Sequence, residues 1–251
     1  MEKIFFTNKQ GLKLCGVLET VNTASKEVVL LVHGYTAGKN GSISLLLVRE
    51  LTNKKMNSFR IDLAANGESE GKFEEQTIST MVEDVSAAVE LLKKRGFDKI
   101  SLWGSSAGGL VCICVAEKYT IHKMALLAPI SNYVPQRIRK YGAKGIQEWK
   151  ERGYNFYNAG KHGLFKVNYS FFEDLLSNYA NVAKRVEKIK CPVLIIHGDN
   201  DKDVLLQDSV EIAKHLQHVE LIVEKGATHL FSEPHRSKAV KIIADWLAQK
   251  P

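Results

Sequence analysis

The chain has 251 residues, 45% of them hydrophobic and 25% charged, with a formal net charge of +7. This is ordinary globular composition with ample material for a core, which argues against a disordered or fibrous chain. The longest apolar run, 110–116, is too short to cross a bilayer, and charges interrupt MEKIFFTNKQGLKL where a signal peptide needs an unbroken apolar stretch. The expectation is a soluble, cytoplasmic protein with no stable membrane insertion.

At the front, EKIFFTN (2–8) and LKLCGVLET (12–20) alternate with period two and predict a hairpin around KQG. VVLLVH (28–33), FRIDL (59–63), KISLWG (99–104), MALLAP (124–129), VLIIHG (193–198) and VELIVE (219–224) follow as strands. Near-continuous apolarity at that length suits strands covered on both faces, as in a parallel sheet. Helical periods lie between them at 77–96, 106–119, 205–217 and 235–250; the first starts with Thr/Ser caps and stops at Gly96. Strand–helix alternation on this scale predicts an α/β fold, one open and mostly parallel sheet of about eight strands with helices on both faces.

One stretch breaks the rhythm. About sixty residues separate the strand ending near Ala128 from the next one at Cys191, far above the usual connection length. They hold eleven of the twenty-one aromatic residues, among them Tyr133, Trp149, Tyr154, Phe156, Tyr157, Phe171 and Phe172. A self-packed insertion at 129–185, within a single domain of 1–251, is expected to form a lid. Residues 136–166 also carry a local basic excess: Arg137, Arg139, Lys140, Lys144, Lys150, Arg152, Lys161 and Lys166 against Glu148 and Glu151. It reads either as a solvated helical face or as attraction for an anionic substrate or surface. No nucleic-acid motif accompanies it.

Chemistry concentrates at three places. GSSAG (104–108) fits G-x-S-x-G with Ser106 at the centre, after a strand and opening a helix, the context a nucleophile elbow requires. Ser105 has no such placement. The backbone N–H of Ala107 at that helix start is free for a developing oxyanion. HGDNDKDV (197–204) puts Asp199, Asp201 and Asp203 on a loop after a buried strand, and GATH (226–229) puts His229 after the next. Ser, then acid, then His, each beyond a strand's carboxyl end, is an order that supports acyl transfer.

Other candidates read as structural. The three aspartates mimic a calcium loop, but Val204 stands where that loop needs Gly and Val210 where it needs Glu. His33 and His197 each belong to an H-G turn at a strand end. His122, His162, His215 and His218 have no partners in sequence. Cys15, Cys112, Cys114 and Cys191 form no C-x-x-C pair and read as small buried hydrophobes in a reducing compartment.

Through HGYTAG, DLAANGESEG, GSSAGG, HGDNDKDV and GATH the chain resembles the α/β-hydrolase superfamily, in its serine aminopeptidase, monoacylglycerol lipase and feruloyl esterase-like group. That resemblance implies Asp201 as the acid, His229 rather than His235 as the base, and the N–H of Tyr35 as the second oxyanion donor beside Ala107. It implies no cofactor and no metal. DLAANGES (62–69) departs from the family's D-x-R-G-H-G-x-S, and Ser105 stands where His is common. Both departures touch pocket shape more than chemistry.

The expected function is a serine hydrolase cleaving small acyl or aromatic acyl esters through an acyl-enzyme on Ser106. The same triad would serve a peptidase, a thioesterase or a monoacylglycerol lipase, and a non-catalytic hydrolase-fold binding protein is the reading from another class. Expected partners are a small-molecule ester, no nucleic acid and, as one option for assembly, a second copy in a homodimer.

Overall fold

The computed structural model describes residues 1–160, 163–180 and 182–249, apart from the side chains of Ala183 and Lys184. Lys161 and His162 of the sequence reading lie outside the described residues.

The first two strands, β1 (Glu2–Thr7) and β2 (Lys13–Glu19), form the antiparallel hairpin expected around residues 9–11. Then come β3 (Glu27–Val32), α1 (Ser42–Asn53), β4 (Asn57–Asp62), α2 (Ile78–Lys94), β5 (Lys99–Ser105), α3 (Ala107–Ala116) and β6 (Met124–Leu127). After the insertion follow β9 (Val193–Gly198), α6 (Leu206–His215), β10 (Val219–Glu224) and α7 (His235–Ala248). The eight strands lie in the order β1-β2-β4-β3-β5-β6-β9-β10. From β4 to β10 every pairing is parallel, and β2 joins β4 antiparallel.

The apolar runs are uninterrupted because both faces of these strands are covered. Val28, Leu30 and Val32 of β3 enter one core with Val85 and Val89 of α2 and Leu110 of α3. Val29 and Leu31, one residue out of phase, enter a second with Leu47 and Leu51 of α1 and Ile243 of α7. Strands β6 and β9 split the same way: Met124, Leu126, Val193 and Ile195 go to the first core, Ala125, Leu127, Leu194 and Ile196 to the second. The period of two divides each run between two layers. Each Val, Leu, Ile or Met side chain among them contributes roughly 2 kcal/mol by leaving water. Helix α3 lies inside this packing, with nine of its ten residues buried, so its sequence AGGLVCICVA is apolar all round. Cys112 and Cys114 lie in that buried helix as free thiols whose pKa values burial raises.

Helix α2 begins where the caps predict: the Thr77 hydroxyl accepts from Thr80 N–H while Thr80 accepts back from Thr77 N–H. Helix α1 was not expected from the sequence. Its start, Gly41, offers no side-chain cap, and its buried stripe is Ser44, Leu47, Val48 and Leu51.

Between β6 and β9 the chain forms α4 (Tyr133–Arg152), a hairpin of β7 (Tyr154–Asn158) and β8 (Leu164–Asn168), α5 (Ser170–Asn178) and a 3-10 segment (Ala183–Lys188). Gly142, at φ 67°, kinks α4 into two pieces. The aromatic residues here pack on one another: Trp149 lies 5.6–5.9 Å, ring to ring, from Tyr141, Tyr169 and Phe172. They also reach the sheet domain, where Tyr35 and Phe73 meet Tyr157, Phe165 and Phe171. Among the described residues no helix is long and apolar enough to cross a membrane.

Candidate active site

Ser106 follows β5 directly, its amide donating to Leu127 O at the end of β6 at 2.9 Å. Its backbone sits at φ 55°, ψ −121°, a conformation that costs a non-glycine residue of order 1–3 kcal/mol and lifts the side chain out of the turn. The flanking glycines are steric necessities. A Cβ on Gly104 would lie 2.5 Å from Gly108 O, and one on Gly108 would lie 2.5 Å from both Val32 O and His33 O. Strand and helix approach so closely only without side chains.

His229 sits on the loop after β10 and Asp201 on the loop after β9, and those loops are stitched together. Asp199 accepts from Gly226 N–H at 2.6 Å, and Asn200 N–H donates to Ala227 O at 3.1 Å. Thus Asp199 joins the loops, and Asp203 contributes a backbone amide rather than its carboxylate. Asp201 Oδ1 accepts from the amides of Asp203 and Val204, both at 2.9 Å, leaving Oδ2 for His229 Nδ1 at 2.7 Å. Because a carboxylate can only accept, Nδ1 carries the proton. The other ring nitrogen, Nε2, then accepts from the Ser106 hydroxyl at 3.0 Å.

Burial alone would raise the Asp201 pKa, but hydrogen bonds from His197 and His229 outweigh it and hold the carboxyl below the usual range. Asp201 is fully buried while the His229 side chain remains 18% exposed, so the imidazole is fixed from behind and open in front. Ser106 is half-buried. The three side chains joined by this chain of contacts are the three the sequence reading selected.

The two candidate oxyanion amides belong to the same rim. Gly34 lies against the serine turn, where a Cβ would stand 3.4 Å from Ser106 Cβ, and Tyr35 follows it. His33 fixes that loop: its Nδ1–H donates to Gly34 O at 2.8 Å and its Nε2 accepts from Leu63 N–H at 3.1 Å. Burial lowers the His33 pKa, keeping the ring neutral as both bonds require. Among the described residues neither Tyr35 N–H nor Ala107 N–H donates to a protein acceptor. The departing loop at 62–69 is held by Asp62, which accepts from Lys39 Nζ at 2.5 Å and from Glu68 N–H at 2.9 Å.

Two of the remaining histidines are paired with carboxylates nearby. His235 pairs with Glu224, and His215 with Glu187 and Glu211. Among the described residues no group of three or more His, Cys, Asp or Glu is arranged to hold a metal. The sequence reading gave two residues beside the site no part in it: His197, taken as structural in its H-G turn, stands against Asp201, and Arg137, taken within the basic excess, stands against Tyr35. The H-G turn could have flagged the first. Nothing in a solvated-looking basic helix flags the second.

Comparison with known proteins agrees with this architecture. The chain is 26% identical over 241 residues to the mitochondrial palmitoyl-protein thioesterase ABHD10 of Mus musculus, covering 90% of this chain and 78% of that one. It is 27% identical over 177 residues to the human serine hydrolase BPHL, covering 65% of this chain and 60% of BPHL. The solved structure of Est1E from Butyrivibrio proteoclasticus with bound ferulic acid superposes with a TM-score of 0.83 at 24% identity, over 97% of each chain. The fold is the α/β-hydrolase fold. With the prolyl oligopeptidase family profile matching residues 69–250, well over half its length, the chain belongs to that family.

Proposed function

We propose that the protein is a cofactor-independent serine hydrolase acting on carboxylic esters. The observation that carries this reading is the continuous contact from Asp201 through His229 to Ser106. Ser106 Oγ attacks the acyl carbon while His229 Nε2 takes its proton, and Asp201 stabilises the resulting imidazolium. The amides of Tyr35 and Ala107 hold the oxyanion, each worth about 3 kcal/mol in the transition state. The alcohol leaves with the proton returned by His229. Water then attacks the acyl-enzyme, with His229 again as base, releasing the acid and restoring Ser106.

The insertion acts as a lid and lines the acyl pocket. Tyr35, Phe73, Tyr157 and Phe171 form an aromatic wall beside the oxyanion loop, which supports a small or aromatic acyl group, in keeping with ferulic acid bound in Est1E. Thioester cleavage is the second reading, favoured by the similarity to a palmitoyl-protein thioesterase across 90% of the chain. A cytoplasmic location belongs to the same proposal and is read by cell fractionation. So does a homodimer, which the outer strand β10 could form by pairing with a second copy, and light scattering reads it.

The test is a panel of chromogenic acyl esters of graded length, feruloyl esters, acyl thioesters and aminoacyl amides, run on wild type and Ser106→Ala. Ester turnover lost in the variant is expected. Amide turnover above ester turnover would move the assignment to a peptidase. Turnover of nothing by the folded wild type would favour a binding protein.

A further inference from the structure

Arg137 lies on α4, and its guanidinium is buried, with 3% of the residue exposed. Among the described residues it has no carboxylate within ion-pair distance. It stands instead among rings: Tyr133 at 4.4 Å, Tyr157 and Phe171 at 5.2 Å, and Tyr35 at 5.4 Å from the guanidinium carbon to each centroid. One amino group donates to the Tyr133 hydroxyl at 2.7 Å. Rings offset part of the cost of desolvating a cation but do not accept hydrogen bonds in the plane of its N–H groups.

Two polar atoms in this cage are buried without a partner, Arg137 Nε and the Tyr35 hydroxyl. Burial holds the Tyr35 phenol well above its ordinary pKa, so it is present as an O–H donor. Both orphans can donate, and the acceptors beside Arg137 are neutral hydroxyls, of Tyr133 and Tyr141, with no anion among them. A second cation is close: Lys140 Nζ lies 3.8 Å from the Tyr157 centroid, and its pKa is lowered by burial and then by the Arg137 charge. The surrounding stretch, 136–166, supplies six of the seven net positive charges of the whole chain. The cage also adjoins the reacting centre. Tyr35 follows Gly34, where a Cβ would stand 3.4 Å from Ser106 Cβ, and Gln136, next to Arg137, donates to Asp203 O on the Asp201 loop.

We propose that Arg137 and the Tyr35 hydroxyl form a subsite for a carboxylate carried by the ester substrate, with Lys140 drawing that anion in from the rim. Arg137 is thus the specificity-determining residue of the site. This inference rests on the hydrolase reading. Hydrogen bonds between charged partners are worth one to two powers of ten in binding when desolvated, so removing the guanidinium changes selectivity by about that much.

The experiment compares the 4-nitrophenyl half-ester of adipic acid with 4-nitrophenyl hexanoate, matched in chain length, and with 4-carboxyphenyl hexanoate, which moves the carboxylate to the leaving group. Wild type is expected to prefer one of the two anionic esters over the neutral one by at least about tenfold in kcat/KM. The preferred one tells on which side of the ester the subsite lies. Arg137→Gln should cut that ratio by about tenfold or more, Arg137→Lys should hold an intermediate value, and Arg139→Gln, on an exposed position of the same helix, should keep it. Free adipate should competitively inhibit neutral-ester hydrolysis by wild type, a measurement that stands even if Arg137→Gln fails to fold.

A wild-type ratio at or below one, or equal losses on all three esters in Arg137→Gln, would overturn the proposal and leave Arg137 a packing residue. If no ester is turned over, the hydrolase reading is what fails. Adipate then decides the subsite separately, through a rise in melting temperature that Arg137→Lys reduces; no rise in wild type refutes it.

Discussion

His197 Nε2 stands 3.4 Å from Asp201 Oδ2, the same oxygen that takes the proton-bearing nitrogen of His229. Its tautomer is fixed: Nε2–H donates to Val204 O at 3.0 Å, so Nδ1 accepts from the Ser209 hydroxyl at 2.6 Å. The N–H therefore faces Asp201 as well, and a buried ring braces the carboxylate from the side away from solvent. His197→Asn is expected to lower kcat by up to about 100-fold with KM little changed, because it loosens the angle at which Asp201 meets His229. Equal effects on kcat and KM, or none, would leave His197 a packing residue.

The three loop aspartates should separate cleanly. Asp201→Asn is expected to fold normally and to lose up to about ten-thousandfold in turnover, since an amide favours the wrong imidazole tautomer. Asp199→Asn weakens one bond between the loops and should cost less than about tenfold, and Asp203→Asn, whose side chain takes no part, should behave as wild type. Steady-state kinetics with circular dichroism as a folding check reads all three. Loss in Asp203→Asn with activity kept in Asp201→Asn would show the wrong carboxylate had been chosen.

Gly108→Ala tests the elbow itself. The added methyl would meet two backbone oxygens of the β3 end at 2.5 Å, and backbone cannot rotate aside as a side chain can. A loss of about 3 kcal/mol in urea denaturation is expected, with activity falling at temperatures where the protein is still folded. A variant as stable and active as wild type would mean that Gly108 is not held against the backbone of the β3 end.

Asp84 gives a pH prediction independent of catalysis. Burial pushes its carboxyl up from 3.8 to about 6, against hydrogen bonds from Asn8 and the Ala64 amide. Between those values the folded state holds more protons than the unfolded state. The contribution is fully present below pH 3.8 and is lost as pH rises through 6, amounting to roughly 3 kcal/mol. Measured by urea denaturation from pH 4 to 7.5, the stability of Asp84→Asn relative to wild type should rise by up to about that amount. Parallel curves would contradict it.

Much of the fold is legible in the sequence. Strands β3, β6 and β9 announced themselves because sheets covered on both faces leave no room for polar alternation. The elbow was readable because contacts between backbones demand Gly104 and Gly108 on either side of Ser106. Helix α1 was hidden: Ile43, Leu45 and Leu46 flank its buried stripe and blur the period, and Gly41 gives no cap signal. The β7–β8 hairpin was hidden too, since its strands are half-exposed and pair only with each other. Arg137 was unreadable for a different reason. Its position in a basic stretch suggests solvent, and its burial is decided by rings brought from four separate segments.

The most direct test of the central claim is covalent. Wild-type protein treated with a fluorophosphonate probe should gain one adduct by intact mass, map to the peptide containing Ser106, and show no labelling in a folded Ser106→Ala variant. Labelling that persists in that variant, or that maps to Ser105 or any other residue, would contradict the assignment of Ser106 as nucleophile.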